Sequence, residues 1–451
     1  FLLLTSNRSE IFHTFASQKD ITMKQFPFLI LLLLLSASVA AQDTVKTYYS
    51  SDRLLSIGVK KQGKEQGEWI FYHANGTKWT QGEYKDGVQV GLWRMWNNAG
   101  DLLQEYYADN GPFKSWYPNG TMESKGEIVN GKREGEWSFY YINGQLFKIS
   151  HYHADSINGK VIEYHYNGTK KFEGEYLDGK LNGYATWWFD NGDLEMEGNS
   201  VLDLQDGEWK FYYPNNIIGS RGSFKNGLQH GVWTYYYEDG RIWKRGEYKD
   251  GKREGIWEAW YESGKLQRRG AFLNDFEEGE WTQWYPNGLI EDRGFFKQGK
   301  MDKTWIGYYP DGIMKYKAQY KNGLRHGRYQ NFWENGKPKA KGRYKNDLRQ
   351  GPWIDYAENG KYLNRGAYKE DKKNGLWRYY DARTRLIRVQ GFKMDVMHGK
   401  VIEYHQNGKK LSQGSYKNGE PTGIWTRWNH EGVIYYKADL SVTPRRVIIS
   451  Q

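Results

Sequence analysis

The chain contains 451 residues with a formal net charge of +11, no cysteine and 17% aromatic residues. The absence of cysteine excludes disulfides, thiolate catalysis, cysteine-based zinc sites and lipid attachment through an amino-terminal cysteine. A mean hydropathy of −0.90 would favour disorder in a chain poor in aromatic residues. Here the rings recur in register, so we expect buried ring area to take the place of an aliphatic core.

The amino end has the pattern of a targeting segment. Residues 23–41 combine a basic start at Lys24, an apolar stretch over 26–35 and the small residues that a signal peptidase requires near its cut. We therefore expect export, to a periplasmic, cell-surface or secreted location. The apolar stretch is shorter than the roughly 20 residues of a membrane helix, which disfavours the alternative of a retained anchor. Residues 1–22 precede the first methionine, and we expect no structure from them.

From Trp137 to Trp425 an aromatic-rich unit punctuated by glycine recurs every 24 residues without a slip. Three earlier copies precede it, and the step from Trp93 to Phe113 is four residues short, which makes 16 copies in all. A second aromatic residue follows three positions after each anchor. The anchors that are tryptophan form the predicted ring columns: Trp69, Trp93, Trp137, Trp209, Trp233, Trp257, Trp281, Trp305, Trp353, Trp377 and Trp425. A period of this length predicts supersecondary units that stack on their neighbours.

Each unit has the pattern of a β-hairpin. In the copy spanning 67–91, the aromatic-rich run 68–73 favours a strand, and Asn75-Gly76 is the dipeptide of a type I′ hairpin turn. Residues 77–85 predict a second strand, after which Asp86-Gly87 opens the connection to the next anchor. Because sequential strands usually pair with their neighbours, we predict an all-β fold. It is an elongated antiparallel meander of about 16 hairpins, forming an open, twisted, single-layer sheet.

Two arrangements of the ring columns remain open. An anchor and the aromatic three residues later point to opposite faces of an ideal strand, so either both faces carry rings or a bulge brings the two columns together. The predicted organisation runs from an upstream segment to a carboxyl-terminal tail: 1–22 upstream, 23–41 signal peptide, 42–62 lead-in, 63–440 repeat array and 441–451 tail.

The units resemble the MORN repeat. The pattern Gly-x-Trp-x-x-aromatic, as in Gly255-x-Trp257-x-x-Trp260, followed by Asn-Gly and Gly-x-Tyr-x-Asp-Gly, is similar to the MORN variant of bacterial proteins labelled YwqK-type antitoxin components. The resemblance covers about residues 63–440. It implies hairpin units in an elongated sheet with roles in protein association, scaffolding or contact with anionic lipids, and no catalytic activity. The units depart from the pattern where Lys303, Asn216 and Thr384 replace glycines and in the short copy, which suggests tolerated drift, or else kinks or local binding sites.

The polar residues do not predict an active site. His230, His326 and His398 occupy equivalent positions a whole number of repeats apart, so they cannot share a zinc ion at bonds of about 2 Å, and we expect them in loops. Glutamates that recur in one strand column fit a solvated face better than a catalytic pair, which must meet across a cleft. We predict no enzyme activity, no metal and no cofactor.

Basic residues gather in the turns that lead to the next anchor, and a meander would align them along one edge. The candidate binding edge consists of Lys132, Arg133, Lys252, Arg253, Arg325, Arg349, Lys372 and Lys373. A basic row can attract anionic lipid headgroups, acidic envelope glycans or acidic proteins by its summed field, although lysines in turns also serve solubility alone. Nucleic acid is disfavoured as a partner because export separates the protein from it.

The leading hypothesis is a non-catalytic, exported repeat scaffold that binds a protein partner or an anionic surface. One alternative is an antitoxin-like or immunity module that masks a toxin. Another is a cell-wall carbohydrate-binding repeat protein, since aromatic platforms stack well on sugars.

Overall fold

The computed structural model describes residues 43–442 and 446–450, and every regular element within them is a β-strand. The all-β prediction is confirmed. The predicted upstream segment and signal peptide lie outside the described residues. Within the two described ranges no helix is long and apolar enough to cross a membrane.

The strands before the regular array and in its first copies are β1 (Asp43–Ser50), β2 (Arg53–Lys61), β3 (Lys64–Tyr72), β4 (Lys78–Lys85), β5 (Val88–Trp96), β6 (Leu102–Tyr107), β7 (Asn110–Trp116), β8 (Met122–Val129), β9 (Lys132–Tyr140), β10 (Leu146–His153), β11 (Ser156–Tyr164) and β12 (Lys170–Leu177). The central strands are β13 (Lys180–Trp188), β14 (Leu194–Val201), β15 (Leu204–Tyr212), β16 (Ile218–Lys225), β17 (Leu228–Tyr236), β18 (Ile242–Lys249), β19 (Lys252–Trp260), β20 (Leu266–Leu273), β21 (Phe276–Trp284), β22 (Ile290–Lys297), β23 (Lys300–Tyr308) and β24 (Met314–Lys321). The last strands are β25 (Leu324–Phe332), β26 (Pro338–Lys345), β27 (Leu348–Arg349), β28 (Gly351–Tyr356), β29 (Tyr362–Lys369), β30 (Lys372–Lys373), β31 (Gly375–Tyr380), β32 (Leu386–Lys393), β33 (Val396–Tyr404), β34 (Lys410–Lys417), β35 (Glu420–Trp428), β36 (Ile434–Asp439) and β37 (Arg446–Ser450).

All strands join one sheet, in which each pairs antiparallel with the strand before it and the strand after it. At two positions a single residue divides a strand into two segments. As a result β27 and β28 both pair with β26, and β30 and β31 both pair with β29. Within the described residues β1 and β37 have one neighbour each, so the sheet is open. The predicted single-layer meander is confirmed.

The turn assignment made from sequence was wrong. At Asn75-Gly76 only the glycine has positive φ, and the backbone N–H of Gly76 donates to the carbonyl of His73, as in a type I turn followed by a left-handed residue. The Asn75 side chain accepts the N–H of Thr77, which holds the asparagine at negative φ. The two-residue type I′ turn lies instead at Asp86-Gly87, where both φ values are positive. We call the edge with the three-residue Asn-Gly loops the loop edge and the other the turn edge.

Residues that replace pattern glycines keep the backbone conformation of a glycine. Lys303 has a φ of +57°, Asn216 of +61° and Thr384 of +67°. The strand that contains Lys303 pairs with the next strand in the same register as other copies. These departures therefore introduce no kink at these positions.

Each tryptophan anchor lies over a glycine of the preceding strand. The indole of Trp93 covers Gly82 so closely that a Cβ atom there would lie 2.2 Å from the ring, and across all eleven such pairs the distance is 2.0–2.3 Å. A bulge makes this possible, because three residues of β5, Gly91 to Trp93, face Gly82 alone. Ten of these anchors are at most 7% exposed, while Trp425 is half-buried.

The residue eleven positions before each anchor varies with the type of anchor residue. All eleven tryptophan anchors are preceded eleven residues earlier by glycine. At three copies where the anchor is smaller or is tyrosine, the equivalent position holds a side chain: Ser150 precedes Val161, Ala318 precedes Tyr329 and Gln390 precedes Val401. At Ala185 the glycine is kept, and a Cβ atom at Gly174 would lie 2.7 Å from Phe172. The indole therefore requires the glycine, whereas other anchors allow a side chain at this position.

Anchors and the aromatics three residues later lie on opposite faces. Trp209 faces Gly198 across the ladder and Lys210 faces Glu197, so these neighbouring residues point to opposite faces. The register shifts between Phe211 and Tyr212, yet the Tyr212 hydroxyl donates to Glu197, on the face opposite Trp209. On the face that carries the anchors, which we call the tryptophan face, rings pack edge to face. From Trp209 to Trp305 nine rings form one row, with centroids 4.9–6.2 Å apart.

Side chains bind consecutive loops together at the loop edge. Twelve tyrosine, histidine and tryptophan side chains donate an O–H or N–H to the backbone carbonyl 23 residues later, at 2.7–3.2 Å. They are Tyr49, His73, Tyr117, Tyr141, His165, Tyr213, Tyr237, Tyr261, Tyr285, Tyr309, Trp333 and His405.

At the turn edge, backbone and carboxylate groups join each turn to the one before it. In six turns aspartate replaces the usual glycine, and its Oδ1 accepts the backbone N–H of the residue 22 positions earlier. In four of them that residue is an arginine whose Nε also donates to the carboxylate, at 2.7–3.1 Å. We call these pairs the Arg–Asp staples: Arg133–Asp155, Arg253–Asp275, Arg325–Asp347 and Arg349–Asp371.

A methyl group placed under an indole should destabilise the array locally. We predict that Gly246→Ala costs about 1–3 kcal/mol, because its Cβ would overlap Trp257. The same substitution should cost much less in a Trp257→Val background, which reproduces the natural Ser150–Val161 pair. Urea unfolding and hydrogen exchange of β18 and β19 measure both effects. An equal cost in both backgrounds would contradict the packing described above.

The stability that the Arg–Asp staples contribute should depend on pH. The hydrogen bond from Arg325 holds the pKa of Asp347 below its ordinary value. A carboxyl with a lowered folded pKa contributes stability above its unfolded pKa of about 3.9 and loses it as pH falls through the folded value. Asp347→Asn should therefore lower the free energy of unfolding at pH 7, measured by urea denaturation, by no more than about 1 kcal/mol since the side chain is 41% exposed. This deficit should disappear in acid. A deficit unchanged at low pH, or matched by Asp311→Asn at the loop edge, would refute this.

Candidate binding surfaces

Most of the predicted edge cations are engaged within the array. The guanidinium groups of the four staple arginines, Arg133, Arg253, Arg325 and Arg349, also lie 3.8–4.2 Å from the centroid of a ring on the next strand. The ammonium of Lys373 donates to the Tyr379 hydroxyl at 3.0 Å. The three remaining cations, Lys132, Lys252 and Lys372, are exposed.

A row of free lysines runs along the turn edge beside these residues. Each is the last residue before a two-residue turn, is exposed, and has no ion pair among the described residues. The row consists of Lys225, Lys249, Lys297, Lys321, Lys345, Lys369, Lys393 and Lys417. We call it the lysine row.

Apolar side chains lie beside four lysines of the lysine row. The residue after the turn pairs directly with the lysine, as Leu324 pairs with Lys321 and Leu348 with Lys345. Four of these partners are apolar and exposed at 42–50% of their surface: Leu228, Leu324, Leu348 and Val396. The partners of the other four lysines are charged. The turn edge is therefore both cationic and apolar.

A second cationic feature lies in the middle of the sheet, on the face opposite the tryptophan face. The residue twelve positions before the anchor is basic in seven consecutive copies, and all seven side chains are exposed. Six of them precede a glycine that an indole covers, and Lys317 precedes Ala318. This arginine column consists of Arg221, Arg245, Arg269, Arg293, Lys317, Lys341 and Arg365. In earlier copies the same position holds neutral, basic and acidic residues, including Gln81, Lys125, Glu173 and Glu197.

The second half of the arginine column has no acidic partner. Glu258 binds both Arg245, at 3.0 Å, and Arg269, at 3.5 Å. The column residues Arg293, Lys317, Lys341 and Arg365 form no ion pair among the described residues. Their cross-strand neighbours include Ile306, Gln330 and Ile354, which are uncharged. These four cations therefore face solvent with their full charge.

Sequence reasoning missed the arginine column, although a signal was present. The basic residues recur at the same 24-residue interval as the anchors, immediately before the Gly-x-Tyr motif. The missing information was the face, since only the strand register shows that they lie opposite the anchors and away from the staples.

The histidines expected in loops lie in strands. His230, His326 and His398 belong to β17, β25 and β33, close to the turn edge. There His326 Nδ1 lies 3.1 Å from the Asn346 side chain of the next turn. Among the described residues no three His, Asp or Glu side chains converge in a way that could hold a metal ion.

Comparison with known proteins identifies the repeat. Ten segments match the MORN repeat variant: 65–86, 109–130, 133–154, 205–226, 229–250, 253–274, 277–298, 301–322, 325–346 and 397–418. Nine of the ten segments begin in the first strand of a hairpin and the segment 109–130 begins one residue before it, and all ten end at the next turn on the turn edge. No curated protein matches the chain.

Solved structures resemble the chain only weakly. A crystal structure of TcdB2-TccC3-Cdc42 is 9% identical over 88% of this chain and 25% of the other, with a TM-score of 0.15. A Photorhabdus luminescens Tc holotoxin pore is 12% identical over 87% of this chain and 24% of the other, with a TM-score of 0.14. The chain spans about a quarter of the length of these proteins, and no inference follows from so distant a likeness. The ten matched units are MORN repeat variants, and they support the MORN repeat family for the hairpin array.

Proposed function

We propose that the chain is a non-catalytic, exported scaffold that docks its turn edge against an anionic lipid surface. The observation that carries the proposal is the lysine row with its exposed apolar partners. MORN repeats and all-β repeat arrays are typically not enzymes, and their extended sheets suit binding along a surface. Export follows from the pattern of residues 23–41 and is part of the proposal.

The composition of the turn edge favours lipid over solubility alone. A solubilising edge needs charge only, whereas Leu228, Leu324 and Leu348 expose apolar surface directly beside lysines of the row. Lysine together with leucine is the composition of segments that lie in the headgroup region of a bilayer. Each lysine close to an anionic leaflet contributes about 1 kcal/mol of attraction, so a few lysines in contact suffice for measurable binding.

Vesicle co-sedimentation with matched variants tests the proposal. The folded chain should bind vesicles that contain phosphatidylglycerol, bind neutral vesicles poorly, and lose binding as salt rises. An edge variant with Lys321, Lys345, Lys369 and Lys393 changed to Gln should bind at least tenfold more weakly. The control removes the same charge from the loop edge, at Lys265, Lys337, Lys361 and Lys409, and should bind like the parent.

A third variant separates charge from apolar contact. Leu324→Ser with Leu348→Ser leaves the net charge unchanged and should still weaken vesicle binding. Equal binding to neutral vesicles, or equal losses in the two lysine variants, would refute docking through the turn edge.

Two further binding experiments test the alternative functions. The narrower likeness to YwqK-type antitoxin components predicts a toxin as partner, and affinity capture from an envelope extract with the edge variant as bait would recover it even without lipid binding. Binding of the chain to insoluble wall polysaccharide would instead support a carbohydrate-binding repeat protein.

A further inference from the structure

We propose that the arginine column binds a linear acidic polysaccharide laid along the length of the sheet. The site uses different residues from the lysine row and goes beyond the function proposed above. It comprises seven exposed cations, of which the last four have no acidic partner among the described residues.

The column has the geometry of a site for a periodic ligand. Equivalent residues of consecutive copies lie two strands apart, and strands are about 4.8 Å apart, so neighbouring cations are separated by about 9.6 Å. Seven cations in a single row therefore extend over about 58 Å, perpendicular to the strands. A ligand that uses all of them must be extended and must carry anions at a similar interval.

Aromatic rings accompany the cations on the same face. The aromatics three residues after the anchors are half-buried, and they include Trp260, Trp284 and Tyr308. The guanidinium of Arg245 lies 5.7 Å from the ring of Trp260, and that of Arg365 lies 5.6 Å from the ring of Tyr380. Sugar rings have an apolar face that packs on aromatic side chains, while a guanidinium group binds a carboxylate through two parallel hydrogen bonds.

Charge spacing and shape distinguish a polysaccharide from other polyanions. Nucleic acid carries one phosphate per about 3.4 Å along each strand, far denser than this column. A membrane is flat, and because a sheet twists from strand to strand, only a short part of a central column can face a bilayer at one time. A polysaccharide with one carboxylate per disaccharide has the length, stiffness and charge interval that the column requires.

Binding of hyaluronan fragments, which carry one carboxylate per disaccharide, tests the proposal by calorimetry with neutral dextran as the reference ligand. Affinity should rise with fragment length until about seven disaccharides span the column. A column variant with Arg293, Lys317, Lys341 and Arg365 changed to Gln should bind at least tenfold more weakly. The edge variant, which loses the same four charges, should bind hyaluronan like the parent.

The two variants also separate this proposal from the lipid proposal. The column variant should keep its binding to anionic vesicles, whereas the edge variant should lose it. Equal loss of hyaluronan binding in both variants would show attraction by bulk charge and overturn the inference. Affinity that does not depend on fragment length, or equal binding of dextran, would overturn it as well.

Discussion

The rest of the structure depends on the contact between an indole ring and a bare glycine backbone. A single-layer sheet has no second layer to cover its apolar side chains, so it must bury them within its own surface. Here the ring lies flat over the preceding strand, and the nearly complete burial of Trp93 and Trp377 shows that this suffices. The glycine provides the space, and the bulge before the anchor brings the ring over it.

This packing of rings on the tryptophan face leaves both edges and the opposite face of the sheet available for binding. The tryptophan face is filled by rings, and at the turn edge the staple arginines cover some of them. The lysines before the turns and the cations of the arginine column take no part in the ring packing of the tryptophan face. Among these cations, Arg245 and Arg269 share Glu258. Structural and candidate binding cations thus alternate within a few residues of each other, as Arg349 and Lys345 do.

The sequence predicted the fold well because the period and the turn dipeptides are local signals. The hairpins, the antiparallel order and the open sheet all follow from units such as residues 67–91. The turn type predicted for Asn-Gly was wrong because the dipeptide is compatible with two loop lengths. The local bond from the Thr77 N–H to the Asn75 side chain accompanies the longer loop, and the dipeptide alone does not reveal it.

The candidate site was predicted less well because a count of charged residues does not reveal which way each side chain points. Arg133 and Lys132 are neighbours in sequence, yet one turns inward to Asp155 and the other faces solvent. Pairs of residue types that recur at a fixed spacing along the sequence would have helped to identify the structural residues. Aspartate stands 22 residues after each staple arginine and glycine 11 residues before each tryptophan anchor, and both regularities are visible in the chain itself.

Deletion of part of the array tests the central claim most directly. Removal of residues 270–293, one full unit, places Gly294 where Gly270 was, so that the indole of Trp305 again lies over glycine. Removal of residues 283–294, half a unit, deletes Gly294, places Thr282 eleven residues before Trp305 and breaks the alternation of the two edges. We predict that the urea midpoint and hydrogen-exchange protection of the flanking strands survive the first deletion and fall sharply after the second. Equal stability of the two deletion proteins would contradict the account.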